Sequence, residues 1–396
     1  MNIVFLTLGY PDNINTHNLY TDLMSSFVKL GHQVSVFMQD EVGNKTVSLS
    51  DLGVNVYPVF TGKVTKTSFI KKGINLLLLQ RRYYNAVLDQ CKDKIDLLLY
   101  STPPITFCGV IRKIKQHYHC ITYLLLKDIF PQNAVDLKIF SKRSPFYWYF
   151  RRQEKKLYIN SDLIGCMSPA NVKYLKENNP YIEPSKIHIS PNCIIPNENF
   201  VSTKSEGNGV KLIYGGNLGK PQGIDFIIEC CRVIEKTDGV LLTIVGSGTE
   251  YSKLELAINT LKLTKTKLIS FMPKEEYLKL MAENDMGMIF LDKSFSIPNF
   301  PSRVLDYLNN GLPIFACTDT NSDIKEEICE AGAGFWCESN SVDNFQVILQ
   351  SIVDNKNCLQ PMRQKAKELL LTKYNALKEV ELICERVEGL IKNELS

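Results

Sequence analysis

With 396 residues the chain is too long for one ordinary hydrophobic core, so two domains are expected. Its 44% hydrophobic and 22% charged residues are those of a soluble globular protein, far from a disordered chain, and no apolar run approaches the length of a membrane span. The net charge of +4 is too modest for a dedicated nucleic-acid binder, yet it is unevenly shared: residues 1–200 carry 24 Lys and Arg against 15 Asp and Glu, residues 201–396 carry 22 against 27. A basic first half suggests an anionic partner. The twelve Cys fall singly or in irregular pairs such as Cys230-Cys231, without zinc spacing, and read as thiols buried in a reducing cytosol. The N-terminus lacks the basic start of a secretory signal.

In chain order, Asn2 to Leu8 reads as a strand and His17 to Leu30 as a helix with Leu19, Leu23, Phe27 and Leu30 on one face, stopped by Gly31. Val34 to Phe37 and Val54 to Val59 are further strands. The opening is Rossmann-like, but no GxGxxG follows the first strand, which argues against a nicotinamide or flavin enzyme. Asn15-Thr16-His17 carries amide, hydroxyl and imidazole groups in the loop before the helix, where Asn15 or Thr16 can cap it. Two stretches mix cations with apolar and aromatic residues. One is Lys63 to Tyr84; the other is Lys138 to Lys156, with Lys142, Arg143, Arg151 and Arg152 around Phe146 to Phe150. Both suit an anionic membrane surface or a lipid-diphosphate acceptor, because long cationic stems can lie along apolar area while their charges reach phosphates. Packed or solvated helices are the plainer reading, and no nucleic-acid motif is present. Ile95 to Tyr100 and Cys120 to Leu126 are strands followed by Ser101-Thr102-Pro103-Pro104 and by Lys127-Asp128-Ile129-Phe130-Pro131. An ionisable pair leaving a buried parallel strand sits at the ligand-binding edge, and a helix or turn cap is the plainer reading of Asp128. Pro191 to Gly209 is polar and reads as an interdomain linker.

The second half opens with the strand Val210 to Tyr214 and then Gly215-Gly216-Asn217-Leu218-Gly219-Lys220-Pro221-Gln222-Gly223. Glycines at a strand end let the backbone approach a diphosphate, while a helix over 224–235 points its N-terminus at it. Leu241 to Val245 followed by Gly246-Ser247-Gly248 repeats the arrangement. A strand from Met286 to Leu291 leads into a polar loop, a helix from near Ser302 to Gly311 and a strand from Pro313 to Cys317. Asp306, in the first turn of that helix, can accept two ribose hydroxyls, although helix electrostatics alone also favour an acid there. The remaining helices, through Leu377 to Leu390, are amphipathic.

Taken together these segments resemble family 4 glycosyltransferases, which have the GT-B fold: α/β, with two Rossmann-like domains facing across a cleft. The likeness is to the bacterial branch that builds surface polysaccharide such as colanic acid, O-antigen or capsule. It rests on Ser101 to Pro104, on Asp128 to Pro131, on the 215–223 loop, and on Asp306 with Gly311 and Pro313. The family signature has a first acid where Pro298 stands here, and Asn217 and Gln222 stand where common members carry arginine and lysine. The resemblance implies an N-terminal acceptor-side domain over 1–195, completed by a final helix at about 375–396 that crosses back, and a donor-binding domain over 205–374. It implies Asp128 and His17 as catalytic candidates. Gly216, Asn217, Lys220, Gly246, Gly248, Asn299, Phe300, Arg303 and Asp306 become candidates for holding the nucleotide-sugar, with residues near Met272 and Pro273 flanking the base. The implied activity is metal-independent, retaining transfer of a sugar, most commonly from a UDP-sugar, to a lipid-linked or saccharide acceptor. No cofactor and no metal ligand are expected, and the protein would be cytoplasmic or peripheral on the inner membrane face. A UDP-sugar epimerase of the same architecture and a catalytically silent nucleotide-sugar-binding partner are the alternatives.

Overall fold

The computed structural model describes residues 1–62, 69–197 and 209–395, side chains excepted at 69–77 and 393–395. The chain divides into two compact units, one formed by Met1–Ile195 with Asn375–Ser396, the other by Pro196–Tyr374.

In the first unit the strands are β1 (Asn2–Thr7), β2 (Gln33–Asp40), β3 (Ser48–Leu49), β4 (Asn55–Phe60), β5 (Leu97–Ser101), β6 (Ile121–Leu126), β7 (Leu163–Cys166) and β8 (Ile187–Ile189). They form one sheet in the order β3-β4-β2-β1-β5-β6-β7-β8, parallel throughout except for the short β3 against β4. The central runs LLLYS and ITYLLL are buried along their whole length, as parallel strands covered on both faces must be. The helices are α1 (Leu19–Lys29), α2 (Phe69–Gln90), α3 (Cys108–Tyr118), α4 (Gln132–Asp136), α5 (Pro145–Asn160) and α6 (Pro169–Asn178). Helix α1 begins at Asn18, whose side chain accepts from the Tyr20 and Thr21 amides while the Thr21 hydroxyl accepts from the Asn18 amide. The cap is therefore Asn18, not Asn15 or Thr16.

The C-terminal helix, Ala376–Leu395, buries Ala376, Val380, Ile383 and Val387 in the same core as Phe5, Phe27 and Val36. Cys193 and Ile194 are buried, Ile194 forms a bridge with Asn375, and the Ile195 amide donates to Asp22 at 2.9 Å. These apolar residues keep 191–195 in the first unit, so the linker expected from Pro191 starts later.

The second unit has a six-stranded, all-parallel sheet in the order β11-β10-β9-β12-β13-β14. Its strands are β9 (Val210–Asn217), β10 (Val240–Ser247), β11 (Thr266–Ile269), β12 (Met286–Phe290), β13 (Ile314–Thr318) and β14 (Gly334–Glu338). Helices α7 (Ile224–Lys236), α8 (Tyr251–Thr260), α9 (Lys274–Ala282) and α10 (Arg303–Asn309) connect them. The strand order turns at β9, which lies between β10 and β12, so the loops after β9 and β12 meet at the carboxyl edge where such sheets hold ligands.

The basic segment Lys138–Lys156 comprises the loop after α4 and most of α5. Arg151 is not one of its surface charges: its guanidinium binds Glu154, the Asn178 carbonyl and the Asn179 side chain, and so braces α5 against α6. Of the other basic segment, 63–68 lies outside the described residues; Arg82 donates to the Thr61 carbonyl at 2.6 Å and lies over the Phe60 ring.

Candidate functional site

The site in the second unit is built on the end of β9. Strands β9 and β10 run in register as far as Gly246 opposite Gly216 and Ser247 opposite Asn217. A Cβ on Gly246 would stand 2.0 Å from the Gly216 carbonyl oxygen, so the close approach of the two strand ends requires glycine. Leu218 and Glu250 extend the contact, the Leu218 amide donating to the Ser247 carbonyl and the Glu250 amide to the Leu218 carbonyl. Gly246 and Gly248 thus hold the two loops together at the edge of the sheet.

The loop 217–223 is braced from within. The side-chain Oε1 of buried Gln222 accepts from the Gly219 amide at 3.1 Å and from Asn217 Nδ2 at 3.2 Å. Asn217 and Lys220 are exposed at its rim, and Lys220 opens the single turn that leads through Gly223, at φ 63°, into α7. The loop after β12 is tied to this one, because the Asp292 amide donates to the Pro221 carbonyl at 2.9 Å.

Three tyrosines set the position of Arg303. Tyr307 is fully buried in α10; its hydroxyl accepts from the Gly215 amide at 3.2 Å and lies within hydrogen-bonding reach of the carbonyls of Ile213 and Met288, tying α10 to β9 and β12. Tyr277 from α9 is hydrogen-bonded to Tyr307, and burial beside Asp306 pushes its hydroxyl up to about 12. Tyr214 offers its ring face to the Arg303 guanidinium at 4.6 Å. Arg303 then lies against Gly216, where a Cβ would be 3.1 Å from the guanidinium. Its Nη1 is buried and has no hydrogen-bond partner. Leaving a buried donor unpaired costs about 1–3 kcal/mol, a cost that an anionic oxygen bound beside Gly216 would remove.

Asp306 is exposed one helical turn after Arg303, with Tyr277 near its carboxylate. Asn299 Nδ2 is a second buried donor without a partner, while the Asn299 carbonyl accepts from Ser322 Oγ at 2.8 Å. The Phe300 ring turns inward against Tyr374, 5.7 Å between centroids, so Phe300 offers a ligand only its main chain.

In the first unit, Asp128 follows β6 at the carboxyl edge. Thr102 Oγ1 accepts from the amides of Lys127 and Asp128 and donates to the Asp128 carbonyl, fixing the turn. Asp128 Oδ1 accepts from Asn133 Nδ2 at 3.1 Å, and the side chain caps neither of the neighbouring helices. Burial raises its carboxyl above the ordinary range, against the opposing effect of Asn133. Tyr20 of α1 lies close enough to feel that charge. His17 precedes α1, and its Nδ1 donates to the buried Asp22 carboxylate at 2.8 Å, which fixes the ring's tautomer. Among the described residues no group of three or more His, Cys, Asp or Glu converges as metal ligands would.

Residues 197–369 match the family model described as Glycosyl transferases group 1. A probable glycosyltransferase, WbjE of Pseudomonas aeruginosa, is 21% identical over 322 residues, 76% of this chain and 80% of that protein. Sucrose-phosphate synthase from Thermosynechococcus elongatus superposes with a TM-score of 0.78 at 12% identity, covering 99% of each chain. HepE from Anabaena in complex with UDP gives 0.69 at 13% identity over 98% of this chain and 100% of that one. WaaG, a glycosyltransferase involved in lipopolysaccharide biosynthesis, gives 0.68 at 14% over the same shares. The fold is GT-B.

On this GT-B framework the structure gives Gln222, already noted in the sequence, a bracing role and adds residues that the sequence did not point to. Gln222 braces the glycine loop from within, and Tyr214, Tyr277 and Tyr307 cluster around Arg303. Asp22 holds His17. The available signal was the pairing of Tyr307 with Gly287: a Cβ on Gly287 would stand 2.4 Å from the Tyr307 ring, so a glycine inside an apolar strand marks an inserted side chain.

Proposed function

We propose that the protein is a retaining glycosyltransferase that moves a sugar from a nucleotide-diphospho-sugar, most simply a UDP-sugar, to a lipid-linked or saccharide acceptor in bacterial surface-polysaccharide assembly. The observation that carries this reading is the unpartnered, buried Arg303 Nη1 beside Gly216, one helical turn before Asp306. A guanidinium waiting for an anion and a carboxylate able to take two hydroxyls match a diphosphate and a ribose in the order in which a sugar nucleotide presents them. The family match over 197–369 and the likeness of fold to HepE, whose structures hold UDP or UDP-glucose, support the same assignment.

In this mechanism Arg303, Lys220 and the amides of loop 217–223 stabilise the charge that develops on the departing diphosphate, so no metal ion is required. The Asn299 amide and the main chain at Phe300 meet the transferred sugar in place of the acid absent at Pro298. Asp128 orients the acceptor hydroxyl or takes its proton, and its raised carboxyl suits a proton acceptor working nearer neutral pH. His17, held by Asp22, belongs to the acceptor side. Attack on the face from which the diphosphate leaves would retain the anomeric configuration.

A panel of nucleotide-sugars incubated with a membrane extract, read by the mass of the lipid-linked product, tests the proposal. One donor is expected to give a product heavier by one glycosyl residue. Donor consumption that ignores the acceptor would instead identify an epimerase, and donor binding without a new glycosidic bond would identify a silent binding partner.

A further inference from the structure

Helix α5 divides sharply into two faces. Its inner arc is packed: Glu154, Leu157 and Tyr158 are buried, and the Phe150 ring meets Phe130 at 4.9 Å between centroids. The opposite arc exposes apolar side chains that such a helix would ordinarily hide, with Trp148 at 63%, Tyr149 at 50% and Ile159 at 57% of their full exposure, and Phe146, in the first turn and nearer the packed arc, is 67% exposed. At 100° per residue Trp148, Tyr149, Arg152, Lys156 and Ile159 fall within about one third of the helix circumference. Ile139, just before the helix, is 66% exposed as well.

The charge of the same segment has one sign. Between Lys138 and Lys156 there are seven Lys and Arg and one acid, Glu154. That acid is buried and paired with Arg151, so it does not offset the surface charge. Lys142, Arg143 and Arg152 are exposed beside the aromatic side chains.

We propose that this face of α5, with Ile139 and the turn before it, is a docking surface for an anionic lipid bilayer. Tyr and Trp combine an apolar ring with a polar edge and settle at the level of lipid headgroups, while Lys and Arg stems lie along the acyl boundary and carry their charges to the phosphates. Charge complementarity selects an anionic leaflet over a neutral one. The helix lies on the bilayer and does not cross it; no helix among the described residues is long and apolar enough to span a membrane. This inference rests on the first unit's surface alone and stands apart from the assignment of a sugar-nucleotide site.

The test uses the whole chain without donor or acceptor. Co-sedimentation with phosphatidylglycerol vesicles is expected to exceed that with phosphatidylcholine vesicles at least tenfold and to weaken by a similar factor when salt is raised from 0.1 to 0.5 M. The chain contains two tryptophans, Trp148 and Trp336, so with Trp336→Phe the emission reports Trp148 alone; it is expected to shift to the blue and to be quenched by brominated lipids. Lys142→Glu with Arg143→Glu, and separately Phe146→Ser with Trp148→Ser, are each expected to cut vesicle binding at least tenfold. All four side chains are exposed, so the fold tolerates the changes, and turnover with a soluble acceptor is expected to persist. Equal binding to neutral and anionic vesicles, undiminished binding by both variants, or an unshifted Trp148 emission would overturn the proposal. So would an aromatic variant whose only effect is to convert a dimer to a monomer, or a basic variant that loses RNA binding and no lipid binding. Loss of turnover with vesicle binding intact would bear on the sugar-transfer reading and leave this one standing.

Discussion

The Arg303 guanidinium lies 4.6 Å from the centre of the Tyr214 ring, and the ring belongs to the strand whose end supplies the glycine loop. The stack aims a planar, permanently charged group along Gly216. An Arg303→Lys variant keeps the charge and loses the stack and the fork, so it is expected to behave more like Arg303→Ala than like the natural protein. For Arg303→Ala a rise of about 100-fold in donor KM is expected, about 2.7 kcal/mol of binding. Steady-state kinetics with titrated donor checks this, and an unchanged KM would remove Arg303 from the donor site. Lys220→Ala should raise donor KM by a smaller factor, since its side chain is exposed at the rim.

Asp306→Asn keeps the size of the side chain and removes the charge. Nucleotide binding measured by calorimetry is expected to weaken about tenfold, and Asp306→Ala about a hundredfold, with the thermal midpoint little changed because the residue is exposed. Full activity in Asp306→Ala would show that the ribose is held elsewhere.

Asp128→Asn is expected to lower kcat at least 100-fold while leaving donor affinity as it was. Rescue by Asp128→Glu would show that the carboxylate, and not the Thr102-braced turn, is what matters. Loss of donor affinity in Asp128→Asn would contradict its place on the acceptor side.

Glu379 sits on the C-terminal helix within the first unit, and burial pushes its carboxyl up to about 7 from 4.5, beyond what Lys127 and Arg386 recover. The folded state therefore binds a proton that the unfolded chain releases, and the stability this group supports is lost as pH rises from 4.5 through 7. His188, pushed down to about 4, acts in the opposite direction between about 4 and 6.5, because the unfolded chain then binds the extra proton. Glu379→Gln removes only the first effect. It should stabilise the protein at pH 8 relative to pH 5 by as much as about 3 kcal/mol, read from thermal midpoints at the two pH values. Parallel curves for variant and natural protein would show that the carboxyl titrates normally.

Gly246→Ala forces a methyl group to within 2.0 Å of the Gly216 carbonyl oxygen. Either the strand ends part or the second unit loses about 3 kcal/mol, and in both cases nucleotide binding and the thermal midpoint fall together. A variant with both unchanged would show that the loops are not locked by this approach.

Much of the fold was legible because its parallel strands are short apolar runs followed by glycine or an ionisable pair. Cys120 to Leu126 and Pro313 to Cys317 match observed strands to within a residue, and Val210 to Tyr214 stops three residues short of the end of β9. Helices α3 and α8 were not singled out; α8 is largely exposed, with Leu254 its buried residue, which leaves little periodicity to read. For the site, residue types at strand and helix ends drew attention to Asp128 and Asp306, and the family resemblance added Arg303. Their supports come from distant elements: Tyr277 reaches Gly215 from another helix, and the Gln222 brace depends on a loop conformation that composition does not specify. Arg151 shows the reverse error, a cation that resembles a surface charge in the sequence and is spent on Glu154 and Asn179.

The pairing of Ile194 with Asn375 means that the chain leaves the first unit and returns to it at adjacent points. Topologically the 196–374 unit is an insertion in a host that is otherwise nearly continuous. Excising it and joining 195 to 375 through a short Gly-Ser bridge should leave a self-sufficient host, whereas removing the final helix would strip Val380, Ile383 and Val387 from its interior and leave nothing that folds.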